Sequence, residues 1–390
     1  MKFLSLDSKN FNGKRVLIRV DINSPIKDKK IVDVSRIKKH AKTIAELSRK
    51  GASVVVLAHQ GRPKDSDFIS LRTHSRILSK FVKKKVNFVN DVCGDKAINK
   101  IKKLKKRQIL LLDNVRFLEE EVKPPKDFTK TNLVKNLAPL FDFFVMDAFS
   151  VAHRSVPSIG GFAKVLPSVA GRVMQKELNS LKALEKIKKP YVFILGGAKP
   201  EDLILLLSNK KVDYFLVGGV LSELFYIARG VDVGVKKKIL RQKGYLKSIS
   251  LLEPYLYDKR IILPVDFALE KNKKRVEMSI VYMPYKYPIY DIGKKTQEIF
   301  IDIIKKAKTV YIKGPLGIYE KRGFDKGSKV VFSAVADSNA FSILGGGHTL
   351  SFIDKNIGAK RFSYVSLAGG ALLEYLAGKR LPGVEVLRKK

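Results

Sequence analysis

The sequence has little cysteine, few acidic residues and no long apolar run. Its single cysteine, Cys93, excludes an intrachain disulfide. No stretch approaches the roughly 18 consecutive apolar residues that mark a membrane-spanning helix. The first residues contain neither a long apolar segment nor the cleavage pattern of a secretion signal. From these absences we expect a cytoplasmic protein that does not associate with membranes.

Acidic residues are scarce, since 37 Asp and Glu stand against 77 Lys and Arg, a formal net charge of +40. One interpretation is binding to nucleic acid or to a membrane surface; the other is a lysine-rich solvated surface. The second is favoured, because the basic runs are dispersed and no aromatic residues interleave with them to stack on bases. We expect only non-specific affinity for nucleic acid. The runs are Lys83–Lys85, Lys102–Arg107, Lys236–Lys238 and Lys271–Arg275.

Apolar runs alternate with helical patterns along the whole chain. With 390 residues, 45% of them hydrophobic, the chain can bury a core in two or three globular domains. Strands that alternate with helices predict an α/β fold with doubly wound parallel sheets. The segment Ser168–Lys189 has leucines at helical spacing, and the strand ends change in character beyond it. We interpret this segment as a helix that joins two domains.

Polar and charged side chains follow the predicted strands of the first half. Because the carboxyl ends of parallel strands meet at one edge of a sheet, these side chains are expected to lie together. Four arginines at one edge would repel one another unless they bind a compact anion, and each guanidinium offers a two-pronged contact to phosphate or carboxylate. Any one arginine taken alone is better explained by a surface ion pair. The residues are Asp21, Asn23, Arg36, His59, Arg62, Arg116, His153 and Arg154.

The predicted strands of the second half end in glycines instead. Tyr191–Leu195 leads to Gly196 and Gly197, then to Lys199 and to Pro200 at a predicted helix start. Exposed N–H groups, a positive helix end and an ammonium suit a phosphate, although one Gly-Gly pair is equally well a tight turn. Repetition at one sheet edge favours a nucleotide diphosphate or triphosphate. The other runs lead to Gly218-Gly219, Lys313-Gly314-Pro315, Gly345-Gly346-Gly347 and Gly369-Gly370.

An anion site on one domain and a nucleotide site on another predict phosphoryl transfer, with closure that excludes water. The chain has no Ser-His-Asp order, no HExxH and no GxxxxGK[ST] motif. Transfer onto an already ionised carboxylate needs no general base, so these absences are consistent with the prediction.

Ten ordered stretches give the chain a resemblance to the phosphoglycerate kinase family along essentially its whole length. The segments HRSVPS and GGAKPED are most similar to the archaeal branch of that family. The stretches are Arg19–Pro25, Ala58–Pro63, Leu111–Phe117, Met146–Ser155, Ile194–Asp202, Leu263–Ala268, Asp291–Gly293, Lys313–Glu320, Gly345–Thr349 and Ala377–Glu385.

The resemblance implies a bilobed protein of two Rossmann-like domains with a hinge. It implies an N-terminal phosphoglycerate-binding domain over 1–167, a linking helix over 168–189 and a C-terminal nucleotide-binding domain over 190–375. Residues 376–390 would return to the first domain. The implied reaction is reversible phosphoryl transfer between ATP and the carboxylate of 3-phosphoglycerate in glycolysis and gluconeogenesis, with Mg²⁺ as cofactor. We expect a monomer.

The resemblance also assigns site residues. Phosphoglycerate would bind to Asp21, Asn23, Arg36, His59, Arg62, Arg116 and Arg154. Catalytic roles would fall to Arg36, Lys199, Gly346 and Gly369. The nucleotide would bind to Gly196, Gly197, Lys199, Gly218, Gly314, Pro315, Gly317, Glu320, Gly345, Gly346, Gly347, His348 and Thr349.

The chain departs from the family pattern at its nucleotide site. Leu203 stands where a second lysine is usual, His348 where a metal-binding Asp is usual, and Lys313 where an Asn is usual; the STGGG segment reads SLAGG over Ser366–Gly370. We assign no protein residue as a metal ligand and expect the nucleotide phosphates and water to supply most of the ligands of Mg²⁺. The alternative function is a catalytically weak homologue that binds phosphoanions or nucleic acid.

Overall fold

The computed structural model describes residues 3–28, 30–185, 187–366 and 369–388. The chain divides into two compact units. The first unit contains Met1–Lys182 and Arg380–Lys390, and the second contains Ala183–Lys379. Each unit is built on its own six-stranded sheet.

The first unit has a six-stranded sheet whose paired neighbours all run parallel. A two-stranded hairpin lies outside that sheet. The strands are β1 (Arg15–Arg19), β2 (Ile26–Lys27), β3 (Lys30–Ile31), β4 (Ser53–Leu57), β5 (Val86–Phe88), β6 (Ile109–Leu111), β7 (Phe143–Met146) and β8 (Ser168–Ala170). The sheet order is β5-β6-β4-β1-β7-β8. The helices are α1 (Ser35–Arg49), α2 (Arg72–Val82), α3 (Asp95–Lys102), α4 (Glu119–Val122), α5 (Asn132–Leu137) and α6 (Arg172–Glu185).

The second unit repeats this arrangement with parallel pairing throughout its main sheet. Its strands are β9 (Tyr191–Leu195), β10 (Tyr214–Val217), β11 (Ile261–Ile262), β12 (Asp266–Lys271), β13 (Lys274–Ser279), β14 (Ile289–Ile292), β15 (Thr309–Lys313), β16 (Phe341–Gly345) and β17 (Tyr364–Ser366). The main sheet has the order β11-β10-β9-β15-β16-β17. The helices are α7 (Pro200–Leu207), α8 (Gly219–Ala228), α9 (Val235–Gln242), α10 (Lys294–Lys306), α11 (Lys326–Asp337), α12 (Gly347–Asn356) and α13 (Gly369–Leu376).

Burial explains why the central strands read as continuous apolar runs. All five residues of β4 and all five of β9 are buried, because helices cover both faces of a parallel sheet. The covering helix α1 buries one stripe that includes Ile37, Ala41 and Ile44. The two predicted doubly wound parallel sheets are therefore confirmed, and their carboxyl edges are available for sites.

A third sheet was not predicted. It is antiparallel, with the order β13-β12-β14. Strands β12 and β13 are joined by the two residues Asn272 and Lys273, which have φ values of 49° and 61°. Positive φ at both central residues is the geometry of a tight hairpin turn, which asparagine tolerates well. The pattern escaped prediction because a lysine replaces the usual second-position glycine.

The segment predicted as a single linking helix contains a strand. Ser168–Ala170 pairs with Phe144–Met146 as an edge strand of the first sheet. The helix itself begins only at Arg172, where the carboxylate of Asp147 accepts the N–H groups of Val173 and Met174 at 2.8 and 3.2 Å. The first residues of the segment do not form the predicted helix, and a strand of three residues leaves little periodicity from which to predict it.

The C-terminal segment has contacts in the first unit. Gly383, in helix α14 (Pro382–Glu385), donates its N–H to the carbonyl of Ala152 at 2.8 Å, and Phe3 bridges to Arg388. The chain returns to the first unit at Arg380, four residues after the predicted start of the returning segment at 376. The four domain ranges themselves stay predictions. Among the described residues, none of the helices has both the length and the apolar character needed to cross a bilayer.

Candidate functional site

The carboxyl edge of the first sheet gathers the predicted anion-binding residues. Strand β1 leads to Asp21 and Asn23, β4 leads to His59 and Arg62, and β6 leads to Arg116 through a short 3₁₀ turn. Arg154 follows β7, and Arg36 lies in the first turn of α1. We call these seven residues the anion cluster. His153 is half-buried beside Arg154.

Asp21 ties Arg36 to this edge. Its carboxylate is buried and pairs with the guanidinium of Arg36; it also accepts the Ser150 hydroxyl and the N–H of Asn23, the last at 3.1 Å. Burial alone would raise the pKa of Asp21, but His59, Arg36 and the Ser150 hydroxyl lower it to about 2. Asp21 is therefore an anion at neutral pH and holds the half-exposed Arg36 in one place.

His59 has a defined tautomer because of its neighbour Arg19. The Arg19 guanidinium lies 3.1 Å from His59 Nδ1, and a guanidinium can only donate. Nδ1 must therefore accept, so Nε2 carries the ring proton and can donate to an anion. Burial, together with the charge of Arg19, lowers the pKa of His59 to about 3. The ring is a neutral donor at physiological pH.

We expect His59 to show no titration between pH 8 and pH 5 when its ring signals are followed by NMR. Its folded pKa lies below the unfolded value near 6.5. The unfolded state therefore binds more protons as the pH falls from 6.5 toward 3, and this group makes the fold less stable over that range. A midpoint near 6.5 for the native ring, or a protonated Nδ1 in the nitrogen spectrum, would contradict the assignment.

Arg116 and Asn23 meet at Gly61. The Arg116 guanidinium donates to the carbonyl of Gly61, whose N–H donates to Asn23 Oδ1 at 3.0 Å. Gly61 has a φ of +65°, and a Cβ there would lie 2.5 Å from the carbonyl of Asp67. Only glycine fits this turn, which sets both side chains against the same loop.

Arg62 and Arg154 lie close enough to repel each other. Burial lowers the pKa of Arg154, and the charge of Arg62 lowers it further, while Asp21 acts in the opposite direction. Because Asp21 is already paired with Arg36, these two guanidiniums leave a net positive charge at the strand ends. Such a concentration of forked donors suits a phosphate or a carboxylate.

Sequence reasoning missed two supporting residues. Arg19 is almost fully buried and orients His59. Gln60 is fully buried; its amide accepts from the N–H of Ser24 at 2.8 Å and donates to the carbonyl of Ser24 at 3.0 Å. It thereby joins the loops after β1 and β4. The signal in the sequence was a polar residue at the end of an otherwise apolar strand (Arg19) or just after one (Gln60).

The carboxyl edge of the second sheet gathers the glycines. The N–H of Gly196 donates to the carbonyl of Lys313 at 2.7 Å, and a Cβ on Gly314 would lie 2.0 Å from the Gly196 oxygen. A Cβ on Gly218 would meet Leu316, and one on Gly345 would meet the Tyr311 hydroxyl. We call the residues here, Gly196, Gly197, Gly218, Gly219 and Gly314 with Gly345–Gly347, the glycine edge.

These glycines serve two purposes. At Gly196, Gly218, Gly314 and Gly345 the missing side chain lets one protein segment pack against another. At Gly346 and Gly347 the added Cβ would meet open space or only distant neighbours. Open space at the glycine edge is therefore greatest at the start of α12, and the nucleotide-binding role of the individual glycines stays a prediction.

Thr349 fixes that start. Its hydroxyl donates to the carbonyl of Gly345 at 2.8 Å and accepts the N–H of Gly314 at 2.7 Å. Gly346, with φ +95°, precedes the helix, and His348 is exposed in its first turn. The first N–H groups of an α-helix have no acceptors within the helix, so this turn can receive an anion.

The remaining predicted nucleotide residues lie around these loops. Pro315 packs under Gly196, and Gly317 packs against Asp291. Lys199 is exposed before α7, and Glu320 is exposed and hydrogen-bonds Tyr319. Gly369 begins α13, after the edge strand β17. Leu367 and Ala368 of the SLAGG segment lie outside the described residues.

Comparisons with known proteins agree with this geometry. The family model described as phosphoglycerate kinase matches residues 6–379. A phosphoglycerate kinase of Methanothermus fervidus is 40% identical, with 100% of this chain and 97% of that protein covered. One from Sulfolobus acidocaldarius is 42% identical, with 98% and 95% covered.

Solved structures give the same result. The chain is similar to the crystal structure of phosphoglycerate kinase from Pyrococcus horikoshii, with a TM-score of 0.83, 38% identity and 98% of each chain covered. It is also similar to the structure of phosphoglycerate kinase from Coxiella burnetii, with a TM-score of 0.81, 34% identity and 99% of each chain covered.

Proposed function

The chain belongs to the phosphoglycerate kinase family, and we propose from that premise how its two units divide the reaction. The enzyme transfers a phosphoryl group reversibly between ATP and the carboxylate of 3-phosphoglycerate. We propose that the anion cluster binds 3-phosphoglycerate and that the glycine edge binds ATP or ADP. The assignment rests on the four guanidiniums that the anion cluster brings to one edge of the first sheet, because a bound anion offsets the repulsion among their charges.

The side chains of the anion cluster would divide the contacts by their chemistry. His59 donates from Nε2, and Arg62, Arg116 and Arg154 offer guanidinium forks. Arg36, held by Asp21, is the proposed catalytic cation that neutralises the reacting carboxylate. A substrate held by several fixed cations enters the reaction already oriented.

The glycine edge would hold the nucleotide mainly by its backbone. The first turn of α12, opened by Gly346 and Gly347, receives the phosphates, and Lys199 adds an exposed ammonium. We expect Gly369, at the start of α13, to contribute to the same phosphate site, and the exposed Glu320 to accept hydroxyl groups of the ribose. Transfer between substrates on separate units requires a closing motion, which stays a prediction.

One experiment tests the function directly. ADP formation from ATP is measured at physiological salt with and without 3-phosphoglycerate, alongside a titration with nucleic acid. We expect ADP formation to depend on 3-phosphoglycerate. Nucleic-acid binding without such activity would restore the alternative of a weak phosphoanion-binding homologue, which the comparisons do not favour.

The protein offers little to a metal ion at the nucleotide site. Across the described parts of the chain, no group of three or more His, Cys, Asp or Glu could hold a metal. The carboxylate of Asp202, in the first turn of α7, already faces the ammonium of Lys313 at 3.6 Å. These residues do not fit a protein-held Mg²⁺. We propose that Mg²⁺ arrives as the counter-ion of the nucleotide, bound by phosphates and water.

His348→Asp tests this proposal. The substitution places an oxygen ligand in the first turn of α12, so binding of Mg·ADP should tighten about tenfold relative to metal-free ADP. Calorimetry with and without Mg²⁺ measures the difference, and His348→Ala, which adds no oxygen ligand, is the control for loss of the imidazole. If Mg²⁺ strengthens ADP binding equally in the parent protein and in His348→Asp, a protein group such as Asp202 already anchors the metal.

We further propose that the protein is cytoplasmic, which the glycolytic role of the family and the single free cysteine favour, and we expect it to be a monomer. Light scattering on the purified protein measures the mass directly. A mass of twice 43.9 kDa would overturn the monomer.

A further inference from the structure

Lys313 is a charged residue at the glycine edge to which the family pattern gives no role. It ends the buried strand β15, and its side chain is only 13% exposed. A lysine is seldom buried to this extent without a charged partner or a function. The family resemblance places an asparagine here.

The usual second lysine of the phosphate loop is missing at position 203. Leu203 occupies that position in α7 and is 1% exposed, so it packs into the core of the second unit. No cation can reach the phosphates from this position. Compared with the family pattern that the resemblance gives, this chain lacks a cation on α7 and has an additional one at the end of β15.

The ammonium of Lys313 points to the open part of the glycine edge. It lies 3.6 Å from Asp202 Oδ2, and 3.8 Å from where a Cβ on Gly346 would be. Among the described residues other than the adjoining glycines, the Thr349 hydroxyl is the other group within 4 Å of that second position. The ammonium therefore stands beside the first turn of α12, where the phosphates are proposed to bind.

The charge of Lys313 is only partly compensated. Burial lowers its pKa, Asp202 raises it, and Lys199 lowers it again. Asp202 is 45% exposed, and the 3.6 Å separation is longer than a normal hydrogen bond. An ammonium has three donors, so a phosphate oxygen beside Gly346 could take those that Asp202 does not use.

We propose that Lys313 contacts the terminal phosphates of the nucleotide and stabilises the transferring phosphoryl group, in place of the lysine missing at position 203. The proposal rests on the function proposed above. In this arrangement Asp202 orients the lysine between turnovers, and the phosphate, as the stronger anion, takes over its donors on binding. The cation thus reaches the same phosphates from the neighbouring strand rather than from α7.

Kinetics of Lys313→Met test the proposal, because methionine keeps the length and removes the charge. We expect kcat to fall about 100-fold, as for loss of one charged donor to a transition state. The KM for 3-phosphoglycerate should stay unchanged. Lys313→Arg keeps a cation and should retain kcat within about tenfold of the parent. Lys313→Asn introduces the residue that is usual in the family, and its kcat should fall as far as that of Lys313→Met.

The matched control is Lys189→Met. Lys189 is also an ion-paired lysine, 2.8 Å from Asp213, but it precedes β9 at the opposite edge of the same sheet. Its removal should leave kcat unchanged. Thermal unfolding of each variant shows whether a loss of activity reflects loss of fold, and Lys313→Asn provides the test if Lys313→Met does not fold.

The outcomes separate the two proposals. If the parent protein forms no ADP with 3-phosphoglycerate, the proposed function fails. If the parent is active and the folded Met and Asn variants keep kcat within about twofold, Lys313 is a structural residue and this inference is overturned. A lowered melting temperature with unchanged kcat would overturn it in the same way.

Discussion

Replacement of Arg154 by alanine is expected to raise the KM for 3-phosphoglycerate about 100-fold and to leave the KM for ATP unchanged. A hydrogen bond to a charged group contributes about 1.5–3 kcal/mol, and about 2.7 kcal/mol corresponds to 100-fold. The effect should approach the upper end of this range, because Arg154 is half-buried and its donors are weakly screened. Steady-state kinetics with each substrate varied in turn measure it.

The same reasoning separates Arg154 from Arg62. Arg62 is exposed, so solvent screens its charge and the loss in Arg62→Ala should be smaller. In the free enzyme, removal of either arginine relieves repulsion of the other. Either substitution should therefore leave the melting temperature of the free protein unchanged. Either substitution should lower the melting temperature of the substrate complex.

Arg49→Ala is the matched control. Arg49 is an exposed arginine in the last turn of α1. A helix that covers a parallel sheet runs against the strands, so this end lies at the edge opposite to the anion cluster. Both KM values should remain at the parent level. Equal losses for both substrates in Arg154→Ala would argue against separate sites on the two units.

Much of this organisation follows from the sequence. The strand over Tyr191–Leu195 has the bounds that its apolar run predicts. Fully buried strands bounded by glycine or charge are the pattern that sequence periodicity detects best. Because each polar residue directly follows such a strand, the sequence also predicts that these residues meet at the carboxyl edge of the sheet.

Long-range pairing was less accessible. The edge strand Ser168–Ala170 and the antiparallel sheet depend on partners distant in sequence, which local patterns do not encode. The proximity of Lys313, at the end of β15, to Asp202, in the first turn of α7, is a further example. The sequence marked Lys313 only as a departure from a pattern; the structure gives its position beside Gly346.

The packing of the glycine edge makes the strongest stability prediction. Gly314→Ala should lower the free energy of unfolding by about 3 kcal/mol. The φ of +79° costs a residue with a side chain about 1–2 kcal/mol. The added Cβ would also lie 2.0 Å from the carbonyl oxygen of Gly196, and such overpacking typically costs about 1–3 kcal/mol.

Gly323→Ala separates these two contributions. Gly323 has a similar φ of +85°, but a Cβ there would meet nothing within 4 Å. Its substitution should cost only the backbone term, about 1 kcal/mol. Urea unfolding of the parent and both variants, followed by a probe of the second unit, gives the difference. If Gly314→Ala and Gly323→Ala lose the same stability, the loops around Gly196 and Gly314 can separate freely, and the close approach that positions the glycine edge is not held in solution.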